Sequence, residues 1–509
     1  MKRLSVVIVS LVLVLLLVLT ACGSAGNSST SSTASESGSN TVSGEPYTIK
    51  MAIMAQTVPK DMNLVADAIN ALPEVKKANV KVDPLCISIG SWLQQMTLML
   101  ASGEKLDLRP VFSWDGELTT DVAKGQLVAI DDLLKNYGTG ITEVLGQTYV
   151  NSVRINGKLY GVPNLRDMAA GYAVTFRKDL LEKYNIDTST IKTYEDLTPI
   201  YEKVSAGEPD MVMTMNEAGG NSNGMVESAV GFYDDLGDNF GVLMNSSTDN
   251  KIVNLFEQQE YIDYVKLFRD WYVKGYTLKS IATNQDYAVT IMKSGKLFSF
   301  LSSFKPGFEA QSKRSAGMDI VCVQLQQALS TSSRVDSVVW SIPINCKDQV
   351  ATMKFLNLTY TSPEINNLLS WGIEGTHYVQ TDTKGIIDYP SGVTATTSGY
   401  NMNMGWEFGN QLSTYIWNGD SPDLYTQLDA FNKSAKISGA CGFLFDSSSV
   451  KNELASCSNV RNQYNSAISN GCVDYTTQLP KYVAALKSAG IDKIISEKQQ
   501  QFDAWLQTK

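Results

Sequence analysis

Histidine is nearly missing from this 509-residue chain, which has only His377. A multi-histidine metal centre is therefore excluded, and any triad or acid–base pair that needs an imidazole must use that one residue. Cysteine is sparse, seven in all, and no pair is spaced as CxxC, which removes thiol-based metal sites and redox dithiols. HExxH, the Walker A sequence and the glycine-rich dinucleotide fingerprint are also absent, so neither a metal nor a cofactor is expected. Positive charge is in deficit, with 42 Lys and Arg against 52 Asp and Glu. That balance argues against nucleic acid, which rewards clustered Lys and Arg. After the first twenty residues no stretch approaches a membrane span.

What the first twenty contain decides the compartment. Lys2 and Arg3 precede an almost unbroken Leu/Val/Ile run from Leu4 to Thr20, and Leu19-Thr20-Ala21-Cys22 closes it with small residues, the pattern of a secretory signal over residues 1–21. The run falls just short of the roughly 20 apolar residues of a comfortable span, and an uncleaved anchor is the alternative. Both readings place the rest of the chain outside the cell. The Leu-x-Ala-Cys ending resembles the bacterial lipobox, which implies a diacylglycerol on Cys22 and attachment to the outer face of the cell membrane. Residues 23–45 are Gly, Ser, Thr, Ala and Asn with few core formers. They read as a disordered tether whose ends lie roughly 25–30 Å apart.

From Pro46 to Lys509 the chain exceeds the roughly 250–300 residues at which a single core stops growing, so two lobes are expected. Cys86, Cys322, Cys346, Cys441, Cys457 and Cys472 allow up to three disulfides, with the last three placed to staple the C-terminal region, or they are buried thiols. Tyr47–Met54 reads as a strand, Asp61–Leu72 as a helix capped by Asp61, and Lys81–Ile87 as a second strand. Trp92–Ala101 is helical and stops at Gly103, and Leu106–Phe112 is a third strand. This is the β-α-β-α-β rhythm of a parallel sheet in an α/β fold. Asn156-Gly157 predicts a hairpin turn, because a type I′ turn needs positive φ at both positions. Gly171–Phe176 opens a second sheet, Thr193–Asp196 reads as a capping box, and further helices span about 258–273 and 348–360.

Several of these blocks, in this order, resemble one family. Gly125-Gln-Leu-Val-Ala-Ile-Asp-Asp-Leu-Leu134, Asn156-Gly-Lys-Leu-Tyr-Gly-Val-Pro163 and Phe176-Arg-Lys-Asp-Leu-Leu-Glu-Lys-Tyr184 are similar to segments of extracellular solute-binding proteins of carbohydrate ABC importers. Ala101–Leu108 and Trp371-Gly-Ile-Glu-Gly-Thr-His-Tyr378 look like its Gram-positive lipoprotein branch. The resemblance implies a two-lobe, periplasmic-binding-protein-like (Venus-flytrap) fold with a ligand cleft between lobes and hinge closure on binding. It places residues 46–164 and about 336–375 in lobe 1, and residues 165–335 and about 376–509 in lobe 2. It further implies a small-molecule solute, an oligosaccharide above all, and an ABC permease in the membrane as partner to a monomeric receptor.

Sugars offer apolar C–H faces that stack on Trp or Tyr and hydroxyl rims that need Asp, Glu, Asn or Arg. Trp114 and Asp115 supply both kinds directly after a strand end, where open α/β sheets place ligands. Trp371, Glu374 and Tyr378 form a second such cluster, Asn164 and Arg166 sit at the expected hinge, and Trp340 and Trp406 are further candidates. Trp92, Trp271 and Trp505 lie in helical stretches and read as core. A peptide or another polar nutrient would suit the same architecture. A serine hydrolase is the distant alternative: Gly220-Asn-Ser-Asn-Gly224 matches the nucleophile elbow, with Ser222 and His377 as its core.

Overall fold

The computed structural model describes residues 44–113, 118–217, 224–229, 231 and 233–507. The signal segment, Cys22 and the tether up to Ser43 lie outside the described residues, as do Trp114, Asp115 and Ser222. Glu45–Lys509 form one compact unit. Its strands in chain order are β1 (Tyr47–Ala55), β2 (Val80–Ser88), β3 (Arg109–Phe112), β4 (Arg154–Ile155), β5 (Lys158–Leu159), β6 (Val162–Pro163), β7 (Ala170–Arg177) and β8 (Ser299–Phe304), followed by β9 (Ile320–Ser330), β10 (Val338–Ser341), β11 (Val379–Gln380), β12 (Ile386–Asp388), β13 (Ile416–Trp417) and β14 (Lys436–Ile437).

The first sheet follows from its apolar runs. Met51 to Ala55 of β1 are at most 1% exposed, the continuous burial of a strand covered on both faces. β1 pairs in parallel with β2, from Tyr47 opposite Val80 to Ala55 opposite Ser88. Between them, helix Met62–Ala71 buries Met62, Val65, Ala66 and Ile69, the spacing of one helical face. Leu108 bridges to Met51 in parallel, and β3 runs antiparallel to β10, which also holds β6. The expected hairpin is present: Asn156 has φ 50° and Gly157 φ 78° between β4 and β5. In the second sheet β7 is central and antiparallel to both β8 and β9, with β14 parallel on the outer edge of β9.

Two large hydrophobic cores result. The first gathers residues from 49–162, 338–369 and 400–408, the second from 174–320 and 450–494. The chain thus passes between cores around 163–173, around 321–337 and after 408. Expectation had put everything from about 376 onward in the second lobe. Tyr400, Met402, Met404 and Phe408 instead pack in the first core, and His377 points its Nε2 at Asp61 Oδ2, 3.1 Å away. That contact also corrects the reading of Asp61, whose carboxylate makes no cap bond to helix Met62–Ala71.

Local capping otherwise follows the sequence closely. Asp196 Oδ2 accepts from the amide of Thr193 at 2.9 Å, the back-reaching half of a capping box, although the helix starts only at Leu197. The C-terminal staple is not found: all six later cysteines are thiols. Cys457 is buried in the second core, whereas Cys441 packs with Met168 and Val335. Burial pushes the thiols of Cys86, Cys322 and Cys346 up to about 12, so they stay protonated and inert.

The crossings are tied together at one point. The backbone carbonyl of Glu407 accepts from Trp340 Nε1 at 2.7 Å and from Asn164 Nδ2, while Leu165 donates to Gly409 O at 2.8 Å and Gln411 donates back to Leu165 O at 3.0 Å. The Glu407 side chain is fully buried, and its Oε1 accepts from the Met54 amide of β1 at 2.8 Å. Burial raises this carboxyl well above the ordinary glutamate range, opposed by the Met54 amide. A raised folded pKa contributes stability that is complete below the unfolded value and declines as pH rises. Glu407→Gln, which keeps the acceptor, should therefore remove part of the wild-type decline in urea-unfolding stability above about pH 4.5. Glu407→Leu leaves the Met54 N–H unpaired and should cost about 1–3 kcal/mol at every pH.

Candidate functional site

β7 enters the second sheet directly from the first crossing, and β9 leaves it directly into the second. Where the two strands meet those crossings lies a cavity of about 320 Å³, walled by Tyr172 of β7, Glu227 of helix Met225–Ala229, Tyr233, Asp235 and Asn239 of the following loop, and Arg334 of the second crossing. Its volume is at the lower end of the roughly 300–1,000 Å³ of small-molecule sites.

Local irregularities of the backbone shape it. The β7–β9 ladder slips on both sides of Tyr172, the kind of bulge that re-aims a side chain. The Tyr172 ring then lies so close to Gly231 that a Cβ there would fall 1.5 Å from Cε2, so this wall requires glycine. The loop after Tyr233 is a tight hairpin in which Asp234 and Leu243 exchange both backbone hydrogen bonds. Its acidic residues hold their own turns: Asp234 Oδ1 accepts from Leu236 N, Asp235 Oδ1 from Gly237 N and Asp238 Oδ1 from Phe240 N, at 2.8–3.0 Å. Asx turns of this type explain the run Asp234-Asp-Leu-Gly-Asp-Asn239. Ser333 Oγ donates to Asp235 Oδ1 at 3.3 Å, tying loop to crossing.

The electrostatics keep this wall protonated where it must donate. Burial raises the Tyr172 hydroxyl, opposed by the nearby Arg334 guanidinium and assisted by Asp235. Tyr233 is raised further by burial, then by the charges of Glu227 and Asp235. Two phenols, two carboxylates, an amide and a guanidinium thus converge on one space. Such a set can stack on a flat apolar face and grip a rim of hydroxyls.

None of the residues singled out from sequence lines this cavity among the described residues. Trp340 is 1% exposed with its indole N–H spent on Glu407 O, so it is core and no cleft wall. Asn164 is equally buried, and its amide donates to the carbonyls of Trp406 and Glu407, a hinge tie with nothing left to offer a solute. Arg166 and Trp406 do meet, the guanidinium 5.6 Å from the ring centroid, with Arg166 Nε also on Asp167 Oδ1 at 2.7 Å. The arginine and Lys305 hold the buried Asp167 carboxyl down to about 2 against its desolvation. Trp371 and Tyr378 belong to an aromatic cluster with Trp417, Tyr389 and Tyr415, where Trp371 Nε1 donates to Tyr415 O at 3.2 Å. Glu374 is exposed at the turn before Tyr378. His377 is 2% exposed, its Nδ1 accepting from the Ile373 amide at 2.9 Å while Nε2 faces Asp61, so its ring closes a loop of the first lobe.

The cavity thus lies beside the crossings between two α/β cores. The chain belongs to the family described as bacterial extracellular solute-binding protein, which matches residues 63–364. Residues 439–507 match a second family, described only as a domain of unknown function. A carbohydrate ABC transporter substrate-binding protein of Streptococcus pneumoniae is 27% identical over 480 residues, 92% of either chain. The crystal structure of the N-glycan transport solute binding protein NgtS of the same organism covers 91% of this chain and 99% of its own at 24% identity, with a TM-score of 0.77. Its complex with Man5GlcNAc, 25% identical, matches over the same shares with a TM-score of 0.63. The fold is therefore that of the two-lobe α/β binding proteins.

A residue between the lining residues Tyr233 and Asp235 has a measurable signature. Asp234, 1% exposed, is raised to about 6 by desolvation, with Asp235 adding to the rise and Ser438 opposing it. Its contribution to stability is complete below about pH 4 and is lost as pH rises through 6, on the order of 2–3 kcal/mol. Asp234→Asn should be more stable than wild type at pH 7 and gain little at pH 4, read as the difference in urea-unfolding free energy at the two pH values.

Proposed function

We propose that this chain is the solute-capturing subunit of an ABC importer for an oligosaccharide, anchored to the outer face of the membrane through Cys22. The observation that carries the reading is the cavity itself, in which Tyr172 and Tyr233 offer faces for sugar rings and Glu227, Asp235, Asn239 and Arg334 offer partners for hydroxyls. The names of the relatives support it, since the curated one is a carbohydrate importer subunit and the solved one an N-glycan binder. Trp114 and Asp115 belong to the same proposed cleft. Ser113 just before them donates to Ser337 O at 3.3 Å, beside the crossing that carries Arg334. Arg166 and Trp406 flank the third crossing and are proposed as outer cleft contacts.

Hinge closure is the proposed signal to the permease. One relative's crystal structures match this chain with a TM-score of 0.77 when described without a glycan and 0.66 and 0.63 with Man1GlcNAc and Man5GlcNAc. The shape of this chain is thus more similar to the first than to the two glycan complexes, which supports the reading. A ligand that binds one shape better moves the population toward that shape, which a membrane partner can read.

The test is a thermal-shift screen of the full-length chain against Man5GlcNAc, kestose, maltotetraose and a tetrapeptide. A ligand at 100 times its Kd adds about 2.7 kcal/mol of stability. A glycan is expected to shift Tm by several degrees, and Tyr172→Ala and Arg334→Ala should each abolish the shift. A shift from the peptide alone would move the substrate class, and a glycan shift unaffected by both variants would move the site.

A further inference from the structure

Residues 439–507 carry no part of the solute reading so far, yet they touch both walls of the cavity. Lys498, in helix Ile491–Leu506, is fully buried. Its Nζ donates to Asp238 Oδ1 at 2.6 Å and to Gly241 O at 3.2 Å, and lies 5.1 Å from the centre of the Phe445 ring. An ammonium out of water costs several kcal/mol unless fully paired, so its position and that of its partners are locked together. Those partners bracket Asn239, in the loop that also presents Tyr233 and Asp235 to the cavity. Next to it, Gln499 accepts from the Ile252 amide at 2.7 Å and donates to Asn250 O at 2.9 Å, holding the segment whose Val253 bridges to Val242 beside the loop.

The opposite wall is held from the same segment. Helix Met225–Ala229 has five residues, too few to persist without outside support. Ser469 Oγ, at the end of helix Lys451–Ser469, accepts from the Val226 amide at 3.1 Å and donates to Glu227 Oε2 at 2.5 Å. Asn470 Oδ1 accepts from the Met225 amide at 3.2 Å. Tyr261 donates to the other carboxylate oxygen of Glu227 at 3.3 Å. The approach is close: a Cβ on Gly224 would fall 2.2 Å from Ser469.

We infer that the 439–507 segment is the specificity-determining support of the cavity, with Lys498 positioning the Tyr233–Gly241 loop and Ser469 positioning the Glu227 carboxylate. The inference rests on the cavity being the solute site. It assigns to this segment the choice among glycans of similar size: Ser469 fixes which Glu227 oxygen faces the cavity, and Lys498 fixes how far Asn239 and Asp235 reach into it.

Lys498→Met and Ser469→Ala in the full-length chain test it by two readouts, amide hydrogen exchange and calorimetric titration with Man5GlcNAc and kestose. Lys498→Met should speed exchange at 233–243 at least ten-fold while the amides of β1 and β2 stay unchanged. Ser469→Ala should speed exchange at 225–229 and change the ratio of the two glycan affinities at least five-fold. Should Lys498→Met not fold, Ser469→Ala decides alone. Acceleration spread evenly over the second lobe, or no acceleration in either stretch, would overturn the inference. If Arg334→Ala abolishes binding while both support variants bind as wild type with an unchanged affinity ratio, the inference alone fails. If Arg334→Ala and Tyr172→Ala bind normally, the cavity is not the solute site and the inference falls with that reading.

Discussion

Two hydrogen bonds to the carbonyl of Glu407, from Trp340 and Asn164, fix where the chain passes from one core to the other. Trp340 belongs to the returning strand β10 and Asn164 to the first crossing, so one backbone oxygen joins three segments remote in sequence. The buried carboxyl of the same residue reaches the edge of β1. Because these groups are out of water, each unmade bond would cost the full desolvation of its donor. The tie is therefore costly to break in the folded protein. Everything beyond it, including the cavity at the mouths of the crossings, takes its position from this point.

The cavity itself draws on a sheet, a crossing and a loop. Tyr172 stands on the central strand of the second sheet and Arg334 on a crossing, and the two side chains are hydrogen-bonded. Tyr233, Asp235 and Asn239 stand on a hairpin loop stiffened by three Asx turns and by the buried pairing with Lys498. A solute that bridges Arg334 and the loop would meet the firmness of the loop. Binding would then pay little ordering entropy on the loop side, because those residues are held before the solute arrives.

The sheets and helices of the first half were legible because they obey simple periods. β1 and β2 are apolar runs bounded by turn residues, Asn156-Gly157 allows little other than a hairpin, and Gly103 ends its helix with φ 73° as a left-handed cap should. The site was less legible, because tryptophan was the guide and the cavity uses tyrosine. Tyr233-Asp234-Asp235 carries the same aromatic-plus-carboxylate signal as Trp114-Asp115, but its place at a cavity depends on a strand end contributed by residues 170–172 and a crossing near 334. Trp340 shows the converse error. Its N–H finds an internal carbonyl, and a satisfied tryptophan is a core residue. Asp61 failed as a cap for a similar reason, since His377 offers its carboxylate a partner more than three hundred positions away.

That distance has a consequence for how the protein is made. The Met54 amide meets its acceptor 353 residues further along the chain, and β3 pairs with a strand that follows almost the whole second core. Non-local pairings of this kind form late, because the intervening loop must close before any contact rewards it. A chain emerging from the ribosome therefore holds an incomplete first lobe until residue 408 has appeared. Delayed completion lengthens the time for which the apolar faces of β1 and β2 stay uncovered, and with it their exposure to wrong partners.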